Sequence, residues 1–130
     1  MKLAILYELG EGTEKSLEKA FDWLRKAAEN GHIDTINVLA TRYMFGIGIE
    51  KNLEKAFHFF QKAARNGHMN ATYNLALCYR NGVGTKKDLE KAFQWFQKAS
   101  ENEHSDAMVH LASCYENGEG TEKDQKKFFY

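Results

Sequence analysis

An internal repeat of 36 residues constrains the fold of this chain more than any other feature. Every unit carries a Leu-Ala pair, then a tyrosine, then two glycines one residue apart. The units are predicted to span residues 3–38, 39–74, 75–110 and, incompletely, 111–130. The pattern starts and stops within helices, so we expect a single repeat domain truncated at both ends. Such uncapped ends allow end-to-end self-association.

Two apolar stripes at helical spacing predict two helices in each unit. In the third unit the first stripe consists of Ala71, Leu75, Ala76 and Tyr79. The second consists of Leu89, Ala92, Phe93, Phe96 and Ala99. One helix pair cannot bury both stripes, whereas stacked pairs can. The prediction is therefore an all-α fold, a right-handed α/α superhelix of helix-turn-helix units.

Polar residues and glycines mark the predicted helix ends. The second helices are expected to begin after side chains that accept hydrogen bonds from free N–H groups. These candidate caps are Ser16, Asn52, Asp88 and Asp124. Gly31 and Gly67 end two of those helices, and Glu103 stands at the same register in the third unit. We expect Glu103 to weaken its turn by about 1 kcal/mol if the site is left-handed.

The paired glycines raise the alternative of a phosphate-binding loop, because Gly-x-Gly before a helix is part of nucleotide-binding motifs. Such a loop follows a strand and occurs once, whereas these pairs follow a helix and recur in every unit. The third glycine of the dinucleotide motif is also missing, since Lys87 stands there. The pairs therefore indicate turns within the helix hairpins, at Gly10/Gly12, Gly46/Gly48, Gly82/Gly84 and Gly118/Gly120.

The stretch from Ala71 to Ala99 resembles the Sel-one-like repeat (SLR), a relative of the tetratricopeptide repeat. The shared pattern is Ala-x-x-x-Leu-Ala-x-x-Tyr-x-x-Gly-x-Gly, followed by Asp-x-x-Lys-Ala-Phe-x-Trp-Phe-x-Lys-Ala. The resemblance extends over the whole chain and implies an α/α superhelix that acts as an adaptor between proteins. Family members assemble signalling and protein-quality-control complexes.

By analogy with tetratricopeptide repeats, the first helices are expected to line a concave groove that binds a protein or peptide partner. The expected groove residues are Asn37, Thr41, Met44, Tyr73, Leu77, Arg80, Val109, Ser113 and Glu116. Tyr73, Leu77 and Arg80 form the candidate hot spot, because aromatic and arginine anchors dominate interface energies. The alternative is that these side chains only face solvent.

The histidines, cysteines and tryptophans have structural interpretations. His32, His68 and His104 share one register and are expected to cap turns, while His58 and His110 are expected at helix surfaces. Cys78 and Cys114 lie on neighbouring parallel helices, which rarely permit a disulfide, and are interpreted as semi-buried thiols. Trp23 and Trp95 share the register of Phe59 and are predicted to be core aromatics. No catalytic group, cofactor site or metal site is predicted.

The balance of charge limits the partners. Lysines and arginines total 18 and so do aspartates and glutamates, so no basic field favours nucleic acid or an anionic membrane. Neither a signal peptide nor a membrane span is visible, which favours the cytosol. The prediction is a non-enzymatic adaptor. The alternatives are a regulatory or anchoring segment of a larger, for example kinase-containing, protein, and a hydrolase-like activity as proposed for cysteine-rich relatives.

Overall fold

A computed structural model describes residues 14–121 of the chain and shows that this part is all-α. Its six helices are α1 (Glu14–Glu29), α2 (Ile33–Phe45), α3 (Leu53–Arg65), α4 (Met69–Asn81), α5 (Leu89–Glu101) and α6 (Ser105–Asn117). Consecutive helices pack against one another, so that α2 with α3 and α4 with α5 form the hairpins. In the structure the second unit is α2 with α3, the third is α4 with α5, and the fourth begins with α6, so each unit starts before its Leu-Ala pair. None of these helices is long and apolar enough to cross a membrane.

The second helices begin where polar caps meet free N–H groups. The Asn52 side chain accepts a hydrogen bond from the Lys55 amide at 3.0 Å, and Asp88 accepts one from Lys91 at the same distance. The cap predicted at Ser16 is wrong, because α1 already begins at Glu14 and places the serine inside the helix. A serine costs little in a helix interior, so it does not fix a boundary by itself. Asp124 lies outside the described residues.

The loop inside each hairpin is built on a left-handed glycine, as the sequence predicts. Gly82 ends α4 with φ 69°, and its N–H donates to the Cys78 carbonyl. The Asp88 amide then donates back to the Tyr79 carbonyl at 2.8 Å, which closes the loop against the end of the same helix. The second unit closes its loop in the same way, with Gly46 at φ 68° and the Asn52 amide donating to the Tyr43 carbonyl at 2.9 Å. Gly10 and Gly12 lie outside the described residues.

The other glycine of each pair lets one hairpin rest directly on the preceding one. A Cβ atom at Gly84 would lie 2.7 Å from the Cβ atom of Phe57 and would overlap the Leu53 carbonyl oxygen. Gly48 and Gly120 approach the preceding second helix in the same way. The repeated Gly-x-Gly therefore supplies one glycine for the turn and one for the contact between units.

The core between the units is made of alanines and aromatic rings. Buried alanines mark the close helix crossings at positions 40, 56, 63, 64, 71, 76, 92, 99 and 107. At each junction a phenylalanine of one unit meets a tyrosine of the next edge to face, with ring centroids 5.3 Å apart for Phe21–Tyr43 and 5.4 Å for Phe57–Tyr79. Repetition of the sequence thus becomes repetition of contacts, which is what builds a solenoid.

Of the two tryptophans, one departs from the prediction. Trp95 packs against the core, but Trp23 is 70% exposed and has the Lys26 ammonium 4.6 Å from its ring. Phe59, at the same register, stacks on Tyr43 of its own first helix. The residue of the first unit at the register of Tyr43 is Tyr7, which lies outside the described residues. The prediction for Trp23 is wrong for the part of the chain described.

Replacing Glu103 by glycine is expected to stabilise the fold. Glu103 has φ 62°, and a glycine there carries no Cβ penalty, so the free energy of unfolding should rise by about 1 kcal/mol. Urea unfolding followed by circular dichroism measures the change. Gly67→Ala is the matched control, since Gly67 has φ 84° at the same register with no atom near its Cβ position, and should lose a similar amount. A destabilised Glu103→Gly variant would contradict the strain at this site.

Gly84→Ala should cost distinctly more than Gly67→Ala. Both residues have positive φ, but only Gly84 has the Leu53 carbonyl where a Cβ atom must go. We expect a loss above about 2 kcal/mol at Gly84, against about 1 kcal/mol at Gly67. Equal losses in urea unfolding would mean that the two hairpins separate without strain, and that the glycine does not set their distance.

Candidate functional site

The first helices α2, α4 and α6 lie side by side, and their side chains touch across the unit boundaries. The Asn74 amide group donates to the Asn37 side-chain oxygen at 3.4 Å, which joins α4 to α2. The Arg80 guanidinium contacts His110 at 3.1 Å, which joins α4 to α6. The nine predicted groove residues all belong to these three helices. We call the surface that they form the first-helix face.

In the second unit the predicted residues are partly buried. Asn37 accepts the amide hydrogen bond from Asn74, and the Thr41 hydroxyl donates to the Asn37 main-chain oxygen at 3.2 Å. Met44 packs against the hydrophobic core. These side chains present a mixed polar and apolar surface, and no contact described here assigns them a ligand.

The fourth unit holds the most open part of the face. Val109 is 69% exposed, and Glu116 is exposed as well. The Ser113 hydroxyl oxygen accepts from the Asn117 amide group at 3.2 Å. A largely exposed valine flanked by polar groups is free to contact a partner without rearrangement of the fold.

The predicted hot spot in the third unit is already occupied by contacts within the chain. Leu77 packs against the core, and the ring of Tyr73 stacks on that of His104 with centroids 4.6 Å apart. Arg80 forms a second contact, from its Nε to a Glu119 carboxylate oxygen at 3.6 Å. Tyr73 and Arg80 therefore join the third unit to the fourth, a role that the sequence analysis missed.

The histidines at the turns cap the first helices, which confirms the sequence prediction. Nδ1 of His32, His68 and His104 accepts the main-chain N–H three residues later, at 3.1–3.2 Å. Because Nδ1 accepts, the ring proton is on Nε2. His68 directs this proton to an Asp34 carboxylate oxygen at 3.0 Å, and His104 directs it to the Asn70 side-chain oxygen at 3.1 Å. The rings of His68 and His104 thus link their units to the preceding ones.

His110 is not the surface residue that the sequence suggested. Its ring stacks on Phe96 with centroids 4.9 Å apart and an angle of 13°, and it also lies beside Tyr73. The prediction failed because the first and second units have no histidine at this register with which His110 could be compared. The equivalent residue of the third unit is Asn74, whose short side chain reaches only Asn37.

Burial keeps the two thiols protonated. Cys78 and Cys114 are both free, as the sequence interpretation holds, and they are buried where that interpretation made them semi-buried. Burial raises the pKa of Cys78 to about 11 and raises the pKa of Cys114, to which the Glu119 carboxylate also contributes. A thiol with such a pKa is a weak nucleophile and a weak metal ligand near neutral pH.

The interior offers little for a small ligand. Within residues 14–121, no cluster of three or more histidine, cysteine or acidic side chains could hold a metal ion. Every buried side-chain nitrogen or oxygen in the same part of the chain has a hydrogen-bond partner. A surface depression of about 840 Å³ lies between α1 and the loop after α2, with Leu17, Phe21, Phe45 and Ile49 among its lining residues. It is open to solvent, so we assign it no ligand.

Comparison with known proteins identifies the repeat. The Sel1 repeat profile matches residues 1–32, 35–68, 70–104 and 105–127, nearly the whole chain. The chain belongs to the Sel1 repeat family. No protein with a curated description gives a significant match.

Solved Sel1 repeat structures share the fold. A protective antigen of uropathogenic Escherichia coli strains with an SLR fold superposes with a TM-score of 0.85 at 34% identity, covering 95% of this chain and 26% of the antigen. A Sel1 repeat protein of Oxalobacter formigenes gives 0.84 at 34% identity, covering 95% of this chain and 51% of its own. Cysteine rich protein B of Helicobacter pylori superposes with a TM-score of 0.67 at 29% identity, and the match covers 92% of this chain and 85% of that protein. The chain thus corresponds to only part of the first two proteins, and the SLR solenoid is confirmed.

The capping role of His68 predicts unequal effects of two substitutions. His68→Ala removes the acceptor for the Ala71 amide and should lower the free energy of unfolding by about 1 kcal/mol. His68→Asn keeps a cap and should lose less than half as much. Asp34→Ala is the control, because it removes only the contact of His68 Nε2. It should lower the free energy of unfolding little, since the Asp34 side chain is 80% exposed. Urea unfolding of the three variants measures these free energies. A loss of stability in Asp34→Ala as large as that in His68→Ala would contradict the ranking.

Proposed function

We propose that this Sel1 repeat chain is a non-enzymatic adaptor whose first-helix face binds a peptide or a helix of another protein. The observation that carries the proposal is the pair of side-chain contacts that join α2 to α4 and α4 to α6, so that the three first helices form one surface across three units. Core positions repeat between units while positions on this face differ. Asn37, Tyr73 and Val109, for example, share one register. Such a pattern suits recognition of an extended partner.

The apolar contribution to binding comes from the fourth unit. Val109 is 69% exposed. Tyr73 has the same register in the third unit and Leu77 lies one turn further along α4, and both are half-buried. Exposed apolar side chains among polar neighbours are typical of the centre of protein interfaces.

The charges on the same face favour a basic partner. Asp34 of α2 and Asp106 and Glu116 of α6 are exposed acids of the first helices. The cation Arg80 has Glu119 as its ion-pair partner, so its charge is compensated within the chain. The remaining cation of these helices, Arg42, has the register of the buried Cys78 and not of a face residue. A partner segment with lysine or arginine beside apolar side chains would complement this arrangement.

The contacts of Tyr73 and Arg80 decide how the proposal has to be tested. Alanine at either position would break the packing between the third and fourth units as well as any contact with a partner. Val109 is the better probe, because most of its side chain is exposed. A loss of binding at Val109 would therefore report on the surface itself.

The prediction is that Val109→Glu abolishes capture of a specific partner from a lysate of the source cells. A carboxylate replaces an apolar contact, and we expect at least a tenfold loss of affinity once the partner is purified and titrated. Gln94→Glu on α5 adds the same charge at an exposed position outside the face and should bind like the wild type. Circular dichroism checks that both variants fold. Equal binding by the wild type and both variants would place the interaction elsewhere on the molecule.

A further inference from the structure

Arg80 holds the third and fourth units together through two different groups. Its Nη1 lies 3.1 Å from Nδ1 of His110 on α6, and its Nε lies 3.6 Å from a carboxylate oxygen of Glu119 in the loop that follows α6. An arginine only donates hydrogen bonds, so Nδ1 must be the acceptor and the ring proton must be on Nε2. The contact therefore requires a neutral imidazole.

Aromatic rings hold the His110 side chain in this position. Phe96 of α5 stacks on it at 4.9 Å, and Tyr73 of α4 lies at 5.5 Å. The ring is thus packed by two helices of the third unit while it belongs to the fourth. We call Tyr73, Arg80, Phe96, His110 and Glu119 the unit 3–4 joint.

A second proton on His110 would have to go to Nδ1. It would remove the acceptor for Arg80 and leave two cations about 3 Å apart in a packed, partly dehydrated place. Burial lowers the pKa of His110 and so does Arg80, while the Asp106 and Glu119 carboxylates act in the opposite direction. The folded joint therefore disfavours protonation of the His110 ring. For the same reason, a protonated His110 ring destabilises the contact with Arg80.

The preceding boundary between units lacks these groups. The registers of Arg80, His110 and Glu119 are occupied there by Met44, Asn74 and Val83. Met44 and Val83 pack against the hydrophobic core, and Asn74 makes a neutral amide hydrogen bond. Of these two boundaries, only the 3–4 boundary has a histidine at the register of His110.

We propose that protonation of His110 loosens the unit 3–4 joint and so makes the first-helix face sensitive to pH. The face crosses this boundary between Tyr73 and Val109, so a change in the packing of the two units alters the distance between its third-unit and fourth-unit parts. The loosening itself is a property of the joint alone. Its effect on a partner rests on the proposed function.

The expected direction follows from the neutral ring in the folded state. Because the pKa of His110 is lowered on folding, its contribution to stability is fully present above the ordinary histidine pKa, near about 6.5, and is lost as the pH falls through the lower folded value. The other titratable groups that face the joint are Asp106 and Glu119, the Tyr73 hydroxyl, the Cys114 thiol and the capping His104. All of them remain in the His110→Asn variant, so the difference between the two proteins isolates His110.

The test compares the whole chain with its His110→Asn variant, which places the residue of the preceding unit at this register. The readouts are the histidine ring protons and the main-chain amides in NMR spectra between about pH 7.5 and 5.5. In the wild type we expect the His110 titration midpoint below about 6.5, and shifts of the Arg80 and Glu119 amides that follow the same midpoint. In His110→Asn these correlated shifts should be lost. The decrease in Tm over the same pH range should also be smaller than in the wild type.

A second variant, Arg80→Met, separates the ion contact from ring packing. It removes the donor and the neighbouring cation and installs the residue of the preceding boundary, so the His110 midpoint should rise toward the ordinary histidine value. A midpoint unchanged in Arg80→Met, or equal pH dependence of Tm in the wild type and His110→Asn, would overturn the proposal. Both measurements use the chain without a partner, so a failure of the adaptor function leaves them interpretable. Partner binding that is insensitive to pH, alongside a confirmed titration, would overturn only the effect on the face.

Discussion

The stacking of the units depends on the contact of a glycine Cα with a main-chain carbonyl. Gly48, Gly84 and Gly120 each rest on the first residue or first turn of the second helix in the preceding unit, where a Cβ atom would overlap the carbonyl. Contact at this distance fixes how far apart neighbouring hairpins lie. It also fixes their rotation, because the same loop is closed by main-chain hydrogen bonds against the end of its own first helix. The edge-to-face Phe–Tyr pairs then fill the space that this spacing leaves.

The same spacing brings the first helices close enough for their side chains to meet. The capping rings of His68 and His104 use one nitrogen for their own helix and the other for a residue of the unit before. Cap and cross-link are therefore combined in one side chain, which a serine or an aspartate cap is too short to do. Local helix formation and long-range stacking support each other, and this agreement is characteristic of repeat proteins.

The candidate binding face arises where the repeats differ. A strictly repeated first helix would present the same side chains three times, whereas here amide, aromatic and aliphatic residues occupy one register. Some of these differences serve the fold: Tyr73 and Arg80 hold the 3–4 boundary in place of the apolar packing at the preceding one. Others, above all Val109, remain exposed and are available to a partner. The variable positions thus divide into joints between units and exposed positions.

The sequence by itself determined the helix pairs, their period, the glycine turns and the histidine caps. Each of these depends on local hydrogen bonds or on a periodicity that a repeat displays several times. It could not show that Arg80, His110 and Glu119 meet, because they are separated along the chain and no other unit has the same three residues at these registers. It also placed Trp23 in the core and His110 on the surface, since a register says which side of a helix a residue occupies but not what covers it. Only the tertiary structure decided which face residues are joints and which are free, because that depends on the distance and angle between neighbouring hairpins.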